Sequence, residues 1–186
     1  MALTPTTEIP LGFNAPDFNL EDAITGKMMS LADCKGTKGT AVIFICNHCP
    51  YVVLIKDKLA EIALDFWQKG IKVVAINSND VERYPDDRPE LMKEDALEHS
   101  YTFPYLFDET QEVAKAYNAA CTPDINVFDA DLQCVYRGQF CDARPGNDIE
   151  PTGKDLIAVF DALVNRTQIP RDQKISTGCS IKWKPN

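Results

Sequence analysis

The feature that most constrains the fold is a short apolar run followed at once by two cysteines and a long helical pattern. Residues 41–45 (AVIFI) are β-branched and aromatic, as in a strand buried on both faces. The Cys-Asn-His-Cys sequence at 46–49 follows directly, and Pro50 suits the first helical turn, where its missing N–H is not needed. Apolar residues then recur three and four positions apart up to Phe66. The next strand is 71–76 (IKVVAI), so the segment predicts a βαβ unit with a right-handed crossover.

The rest of the chain predicts that more strands and helices join this unit in one sheet. Residues 16–20 and 28–31 flank a Thr-Gly-Lys turn and predict an N-terminal β-hairpin extension. Further predicted elements are helices at 89–100, 110–117 and 154–165 and strands at 105–107, 125–128 and 134–137. The fold class is therefore α/β, with a mixed central sheet flanked by helices. We expect one domain over 1–166 and an irregular C-terminal tail, 167–186, that packs on the domain.

Charge and hydropathy limit the partners that this chain can bind. There are 28 acidic and 19 basic residues, a net charge of −9, which disfavours nucleic acid and anionic membranes. No apolar run approaches the roughly 18 residues of a membrane span. Residues 1–10 lack the basic and apolar regions of a secretory signal, so we expect a cytoplasmic protein. We expect a monomer or a homodimer.

The Cys-x-x-Cys sequence predicts thiol chemistry. Seven cysteines at irregular spacing do not match the disulfide framework of a secreted protein. A thiol at a helix N-terminus is stabilised as the thiolate by free N–H groups and the positive end of the helix dipole. We therefore expect Cys46 to be the exposed, low-pKa thiol and Cys49, one turn further on, to be the buried thiol that resolves a mixed disulfide. Within the intervening Asn47-His48 dipeptide, a protonated His48 would stabilise the Cys46 thiolate; otherwise it is a spectator.

A metal site is the alternative interpretation of the same cysteines. Structural zinc usually requires a second Cys-x-x-Cys or a pair of histidines, and the chain has only His48 and His99. A soft ion held by Cys46, Cys49 and either His48 or Cys121 remains possible on the residues alone. We favour redox chemistry, and expect no bound metal and no cofactor.

The chain resembles the thioredoxin superfamily over residues 10–165. The resemblance is carried by Pro16-Asp17-Phe18, the buried strand at 41–45, the Cys-Asn-His-Cys turn, 70–77 (GIKVVAIN) and Thr122-Pro123. It implies a thioredoxin fold in which the Thr122–Pro123 bond is cis, lies against the cysteines and offers the backbone of Thr122 to a substrate polypeptide. The implied partners are protein or small-molecule disulfides and thiols, with a thioredoxin- or glutathione-type reductant.

Within that superfamily the chain is similar to the redoxin branch, which includes peroxiredoxins. The similarity is carried by the strings CNHCPY, CTPD, YRGQF and GCSIKWK. A peroxiredoxin places its reactive cysteine in Pro-x-x-x-Thr-x-x-Cys; aligned on Cys49, this chain has Val42 and Cys46 at the Pro and Thr positions. We therefore expect a thiol–disulfide oxidoreductase first and a thiol-dependent peroxidase second. The buried aspartate of thioredoxins corresponds to Thr40, so we expect either another carboxylate, that of Asp124, or water to take the proton of Cys49.

The remaining cysteines are candidates for packing or for secondary roles. Cys121 is expected to lie near the Cys46–Cys49 pair, either as a buried apolar side chain or as a third thiol or metal ligand. Cys179 is expected to be an exposed spectator in the tail, or a resolving thiol if the tail folds over the site. The other three are expected to be packing residues: Cys34, Cys134 and Cys141.

Overall fold

The computed structural model describes residues 3–185. Positions 1, 2 and 186, the outer ends of the predicted domain and tail, lie outside the described residues. The elements in chain order are β1 (Leu3–Pro5), β2 (Asn19–Asp22), β3 (Met28–Ser30), α1 (Leu31–Cys34), β4 (Gly39–Phe44), α2 (Pro50–Trp67), β5 (Ile71–Asn77), a 3₁₀ helix (Pro85–Asp87), α3 (Pro89–Glu98), β6 (Tyr105–Phe107), α4 (Glu112–Ala116), β7 (Cys121–Thr122), β8 (Asp124–Asp129), β9 (Cys134–Arg137), α5 (Lys154–Asn165) and β10 (Thr177–Ser180).

A seven-stranded mixed sheet with the order β3-β2-β6-β5-β4-β8-β9 forms the centre of the molecule. Strand β4 is parallel to β5 and antiparallel to β8, and all its residues are buried. Successive side chains of a strand point to opposite faces. Ala41 and Ile43 pack in the core that contains the buried faces of α2 and α5, while Val42 and Phe44 pack with residues of α1 and α4. Both faces of the sheet are thus covered, and the end of β4 carries the cysteine turn to the start of α2.

The α/β fold with a mixed central sheet is confirmed. The βαβ unit β4-α2-β5 and the hairpin β8-β9 form as the sequence pattern predicts, and β6 and α5 have the predicted bounds. The N-terminal hairpin is also present, but its first strand is β2, three residues further along than the sequence pattern indicated. Within residues 3–185, no helix combines the length and the apolarity that a membrane crossing needs.

A second, three-stranded sheet in the order β1-β10-β7 lies beside the cysteine turn. The tail was expected to be irregular, yet it contributes β10, which pairs antiparallel with β1 and with β7. Strand β7 is two residues long, and β10 satisfies backbone groups of this short strand that would otherwise lack a partner. The sequence Thr-Gly-Cys-Ser of β10 has no alternation of apolar and polar residues, so its strand structure depends on the neighbouring strands.

Candidate active site

The two cysteines of the turn are both buried, with 1% of Cys46 and 0% of Cys49 exposed. The expectation of an exposed Cys46 is therefore wrong. Helix α2 begins at Pro50, and its N-cap is Cys49, whose carbonyl accepts hydrogen bonds from Val52 and Val53. The positive end of the helix dipole therefore acts on Cys49 more directly than on Cys46.

The Thr122–Pro123 peptide bond is cis, as the resemblance implied, and it lies against both cysteines. The hydroxyl oxygen of Thr122 lies 3.5 Å from Cys46 Sγ. Its carbonyl oxygen lies 3.1 Å from Cys49 Sγ and accepts a hydrogen bond from that thiol when it is protonated. Thr122 thus contacts both sulfur atoms, one through its side chain and one through its backbone.

The tail brings a third cysteine to the same place. Cys179 of β10 pairs with Thr122 of β7, and side chains directly opposite each other in an antiparallel pair lie on the same face. Because the Thr122 hydroxyl contacts Cys46, the Cys179 side chain also points toward the cysteine pair. Hydrogen bonding by the thiol and the backbone N–H of Cys179 contributes to lowering the pKa of Cys49. Cys179 is 3% exposed, so the expectation of an exposed spectator is wrong.

These hydrogen bonds divide the negative charge unequally between the two cysteines of the turn. The Cys46 thiol donates to Cys49, and together with donors from Cys179 and Thr122 it holds the pKa of Cys49 below its ordinary value, despite burial. The same hydrogen bond, desolvation and the negative charge of Asp87 raise the pKa of Cys46. These directions favour Cys49 as the thiolate, whereas the sequence pattern predicted the thiolate at Cys46.

A buried carboxylate that the sequence reasoning missed supports the turn from the other side. Asp87, 0% exposed, accepts a hydrogen bond from the Asn47 backbone N–H and one from the Asn79 amide, each at 2.8 Å. Its second oxygen also lies 2.8 Å from His48 Nδ1. Asp87 raises the pKa of His48. No short motif marks it, because it lies in a polar loop that only the fold brings to the cysteines.

Asn47 and His48 are held in place and form the half-exposed mouth of the site. The Asn47 side chain accepts a hydrogen bond from the Tyr105 hydroxyl at 2.9 Å and donates to the Asp86 carbonyl at 2.8 Å. The His48 ring stacks on Tyr84, with centroids 5.7 Å apart. The positive charge of His48 is therefore compensated by Asp87, and its electrostatic interaction within the cysteine pair is with Cys49.

The structure places Asp124 in a different network from the cysteines. Its carboxylate accepts hydrogen bonds from the Thr6 hydroxyl at 2.5 Å and the Ala120 N–H at 3.1 Å, and Arg137 lies 3.5 Å away. None of the hydrogen bonds or ion pairs of Asp124 within residues 3–185 involves Cys49. The prediction that Asp124 takes the proton of Cys49 is therefore wrong. Asp124 instead stabilises the strand that follows the cis bond.

The remaining four cysteines are buried. Cys121 is fully buried, and its thiol donates to the Pro123 carbonyl at 3.5 Å. Burial raises its pKa, which keeps it in the unreactive thiol form. The three cysteines expected to be packing residues are each 2% exposed: Cys34, Cys134 and Cys141.

The position of the thiolate gives a first prediction. In the reduced protein, absorbance at 240 nm should show a thiolate that persists below the ordinary cysteine pKa, and Cys49→Ser should remove this low-pH step. Cys46→Ser should instead move the step to higher pH, because the thiolate loses its principal hydrogen-bond donor. If the low-pH absorbance step survives in Cys49→Ser and disappears in Cys46→Ser, the thiolate is on Cys46 and this prediction is wrong.

The His48–Asp87 contact gives a second prediction. Asp87→Asn should lower the pKa of His48, measured by NMR with His99, the other histidine, as internal reference. When the folded state raises the pKa of a histidine, protonation of that histidine stabilises the fold. This contribution is fully present below the unfolded-state pKa of about 6.5 and is lost as the pH rises through the pKa in the folded state. That pH dependence of stability should shrink in Asp87→Asn and persist in the exposed control Asp86→Asn. An unchanged His48 titration in Asp87→Asn would show that the contact is not electrostatic.

Comparison with known proteins agrees with this architecture. The mixed sheet, the cis bond and the cysteines at the start of α2 define a thioredoxin-fold protein. The model of the AhpC/TSA family matches residues 11–140, and the chain belongs to that family.

The named relatives include a putative peroxiredoxin and a thiol–disulfide oxidoreductase. The solved structure of an uncharacterized conserved protein from Geobacillus kaustophilus is 53% identical, covers 100% of this chain and 98% of that chain, and superposes with a TM-score of 0.98. The protein named "Putative peroxiredoxin" of Mycobacterium tuberculosis is 26% identical over 86% of this chain and 90% of its own length. Thiol-disulfide oxidoreductase ResA of Geobacillus kaustophilus is 28% identical over 68% of this chain and 67% of its own length.

Proposed function

We propose that this chain is a thiol–disulfide oxidoreductase whose redox pair is Cys46 and Cys49. The observation that carries the proposal is that Thr122 contacts both sulfur atoms, with its hydroxyl oxygen 3.5 Å from Cys46 Sγ and its carbonyl oxygen 3.1 Å from Cys49 Sγ. The interaction between the two thiols lowers the pKa of Cys49 and raises that of Cys46, which favours Cys49 as the thiolate. A disulfide bond joins two sulfur atoms about 2.05 Å apart, and the shared contact with Thr122 holds the sulfur atoms of Cys46 and Cys49 close to each other.

The proposed reaction proceeds by two thiol–disulfide exchanges. The Cys49 thiolate attacks one sulfur of a substrate disulfide, forms a mixed disulfide and releases the first substrate thiolate. The Cys46 thiol then attacks the Cys49 sulfur, and its proton goes to the second substrate sulfur as that leaves. The substrate gains two electrons and the protein is left with a Cys46–Cys49 disulfide. A thioredoxin- or glutathione-type thiol restores the reduced pair.

Access to the pair depends on the tail. Since Cys46 and Cys49 are buried and β10 lies beside Thr122, a protein disulfide reaches Cys49 only when β10 moves aside. Asn47 and His48, which are half-exposed, provide the surface that a substrate meets first. The proposed substrates are protein or small-molecule disulfides, with the larger ones requiring the movement of β10.

Peroxide reduction is a second candidate, favoured by the Cys49 thiolate and by the Thr122 hydroxyl 3.5 Å from Cys46 Sγ. Peroxide cleavage also needs donors that stabilise charge on the leaving oxygen. Arg137 does not supply this, because its guanidinium donates to carbonyl oxygens of Thr7, Tyr117 and Asn118 and is 3% exposed. We therefore propose disulfide exchange as the main activity.

Parallel assays test the choice. The protein should accelerate the reduction of insulin disulfides by dithiothreitol, while its kcat/KM for hydrogen peroxide should stay below about 10⁴ M⁻¹s⁻¹, the lower end of the usual enzyme range. A peroxide rate within that range, with no effect on insulin, would overturn the proposal and establish the second candidate.

The residues that could bind a metal ion in the structure differ from those that the sequence suggested. Donor atoms of Cys46, His48 and Asp87 all lie within 4.8 Å of one another, whereas the sequence suggested Cys46, Cys49 and His48 or Cys121. For a redox pair, we expect purified protein to carry much less than one metal ion per chain and its insulin activity to be unaffected by a chelator. A stoichiometric ion that suppresses the activity until it is chelated would instead identify a metal site.

A further inference from the structure

Cys179 is a buried thiol in the active-site cluster that the exchange between Cys46 and Cys49 does not use. It belongs to the same buried cluster as those two residues. Thr122, its partner in the sheet, contacts both of their sulfur atoms. A cysteine 130 residues after Cys49 is thus brought into the reaction centre by the fold.

The segment that carries Cys179 is held on both sides of it. On the preceding side, the Ser176 hydroxyl donates to the Pro123 carbonyl at 2.7 Å, and a Cβ on Gly178 would lie only 2.0 Å from the Thr122 oxygen. On the following side, the Ile181 N–H donates to the Ala120 carbonyl at 3.1 Å. These contacts hold Cys179 next to the cis bond, so its position is defined by the fold and not by a loosely attached tail.

The contacts of Cys49 place it between two thiols. Both Cys46 and Cys179 belong to its buried cluster, and hydrogen bonding by the Cys46 thiol and by the thiol and backbone N–H of Cys179 lowers the pKa of Cys49. Either neighbour can therefore attack a mixed disulfide formed on Cys49. Burial, with the nearby Cys49, raises the pKa of Cys179 to about 12, so this side chain keeps the proton that a leaving substrate thiolate needs.

We propose that Cys179 is a second resolving thiol for Cys49, so that turnover produces a Cys49–Cys179 disulfide as well as a Cys46–Cys49 disulfide. This inference rests on the proposed function and deepens it. In the resolving step the Cys179 sulfur bonds to the Cys49 sulfur, the bond from Cys49 to the substrate sulfur breaks, and the Cys179 proton passes to the departing thiolate. The two disulfides also interconvert: Cys179 attacks Cys49 and releases Cys46 as a thiol, with no external oxidant.

Disulfide mapping tests the inference directly. Reduced Cys46→Ser protein is treated with one equivalent of diamide, which oxidises two thiols to a disulfide, and the free thiols are then alkylated in denaturant before peptide mass analysis. We expect most molecules to contain the Cys49–Cys179 disulfide, with Cys121 alkylated as the matched buried control. A Cys179 that is alkylated throughout, like Cys121, would overturn the inference.

Turnover provides an independent test. Cys46→Ser should keep measurable insulin reduction through Cys179, and Cys46→Ser/Cys179→Ser should lose at least about tenfold of it. The same double variant with alanine at 179 guards against a folding defect caused by the serine hydroxyl. Equal activity of the single and double variants would contradict the inference.

The two proposals fail in different ways. In wild-type protein treated with diamide, a Cys46–Cys49 disulfide and insulin activity with Cys179 always free would refute only the role of Cys179. Absence of any disulfide among these three cysteines, together with no insulin reduction, would refute the proposed function itself.

Discussion

Cys49→Ser should reduce kcat/KM for insulin disulfides by at least about 10³-fold, or about 4 kcal/mol of transition-state stabilisation. The attacking group in disulfide exchange is a thiolate, and a serine hydroxyl does not ionise near neutral pH. In this site Cys49 is the favoured thiolate, because hydrogen bonding with Cys46, Cys179 and Thr122 lowers its pKa. No neighbouring cysteine can replace it, since in Cys49→Ser burial still raises the pKa of Cys179, and burial with the negative charge of Asp87 still raises that of Cys46.

The matched comparison is with Cys46→Ser and with Cys134→Ser, a buried cysteine outside the site. Cys134→Ser should reduce insulin at close to the wild-type rate, because its thiol donates to the Tyr136 carbonyl and contacts neither redox cysteine. Cys46→Ser should retain the attack on the substrate, with the mixed disulfide on Cys49 resolved by Cys179, whereas Cys46→Ser/Cys179→Ser should accumulate that mixed disulfide. If Cys49→Ser keeps more activity than Cys46→Ser, then Cys46 is the nucleophile after all.

The elements that the sequence predicts well are those with a dense local pattern. Strand β4 is a continuous apolar run, α2 has a regular apolar stripe that begins at a proline, and α5 is equally regular. In these segments the local preference and the tertiary environment agree, so the pattern alone identifies the element. The short strand β10 has no such pattern, and its pairing with β7 required knowledge of a partner more than 50 residues away.

The chemistry of the site was harder to predict than its location. The Cys-x-x-Cys turn identifies where thiol chemistry occurs, but the division of charge within it depends on which cysteine caps α2 and on donors from distant segments. The helix begins one residue after Cys49, so Cys49, and not Cys46, occupies the N-cap. Asp87 and Cys179 come from a polar loop and from the tail, and neither belongs to a motif that connects it to the turn.

Gly178→Ala should displace β10 from the active site and expose the thiols. The added Cβ would lie 2.0 Å from the Thr122 oxygen and 2.7 Å from its carbonyl carbon. Both are backbone atoms beside the cis bond, so they cannot move aside as a flexible side chain would. We expect a loss of about 3 kcal/mol of stability, at the upper end for overpacking. For a chain of this size that corresponds to roughly 6–12 °C in Tm.

Thiol reactivity distinguishes displacement of the strand from general destabilisation. In Gly178→Ala, native-state labelling of Cys49 and Cys179 by an aromatic disulfide reagent should be at least about tenfold faster than in wild type, because both thiols are buried and β10 carries Cys179 and pairs with Thr122, which contacts Cys49. Labelling of Cys34, which packs in the other core cluster on the opposite side of the sheet, should be unchanged. Gly146→Ala is the control. Apart from its chain neighbours, no atom of the described residues lies within 4 Å of the Cβ that this substitution adds, so its only cost is that of alanine at a positive φ, about 1 kcal/mol. Equal labelling of Cys49 in the two variants would show that β10 does not control access to the redox pair.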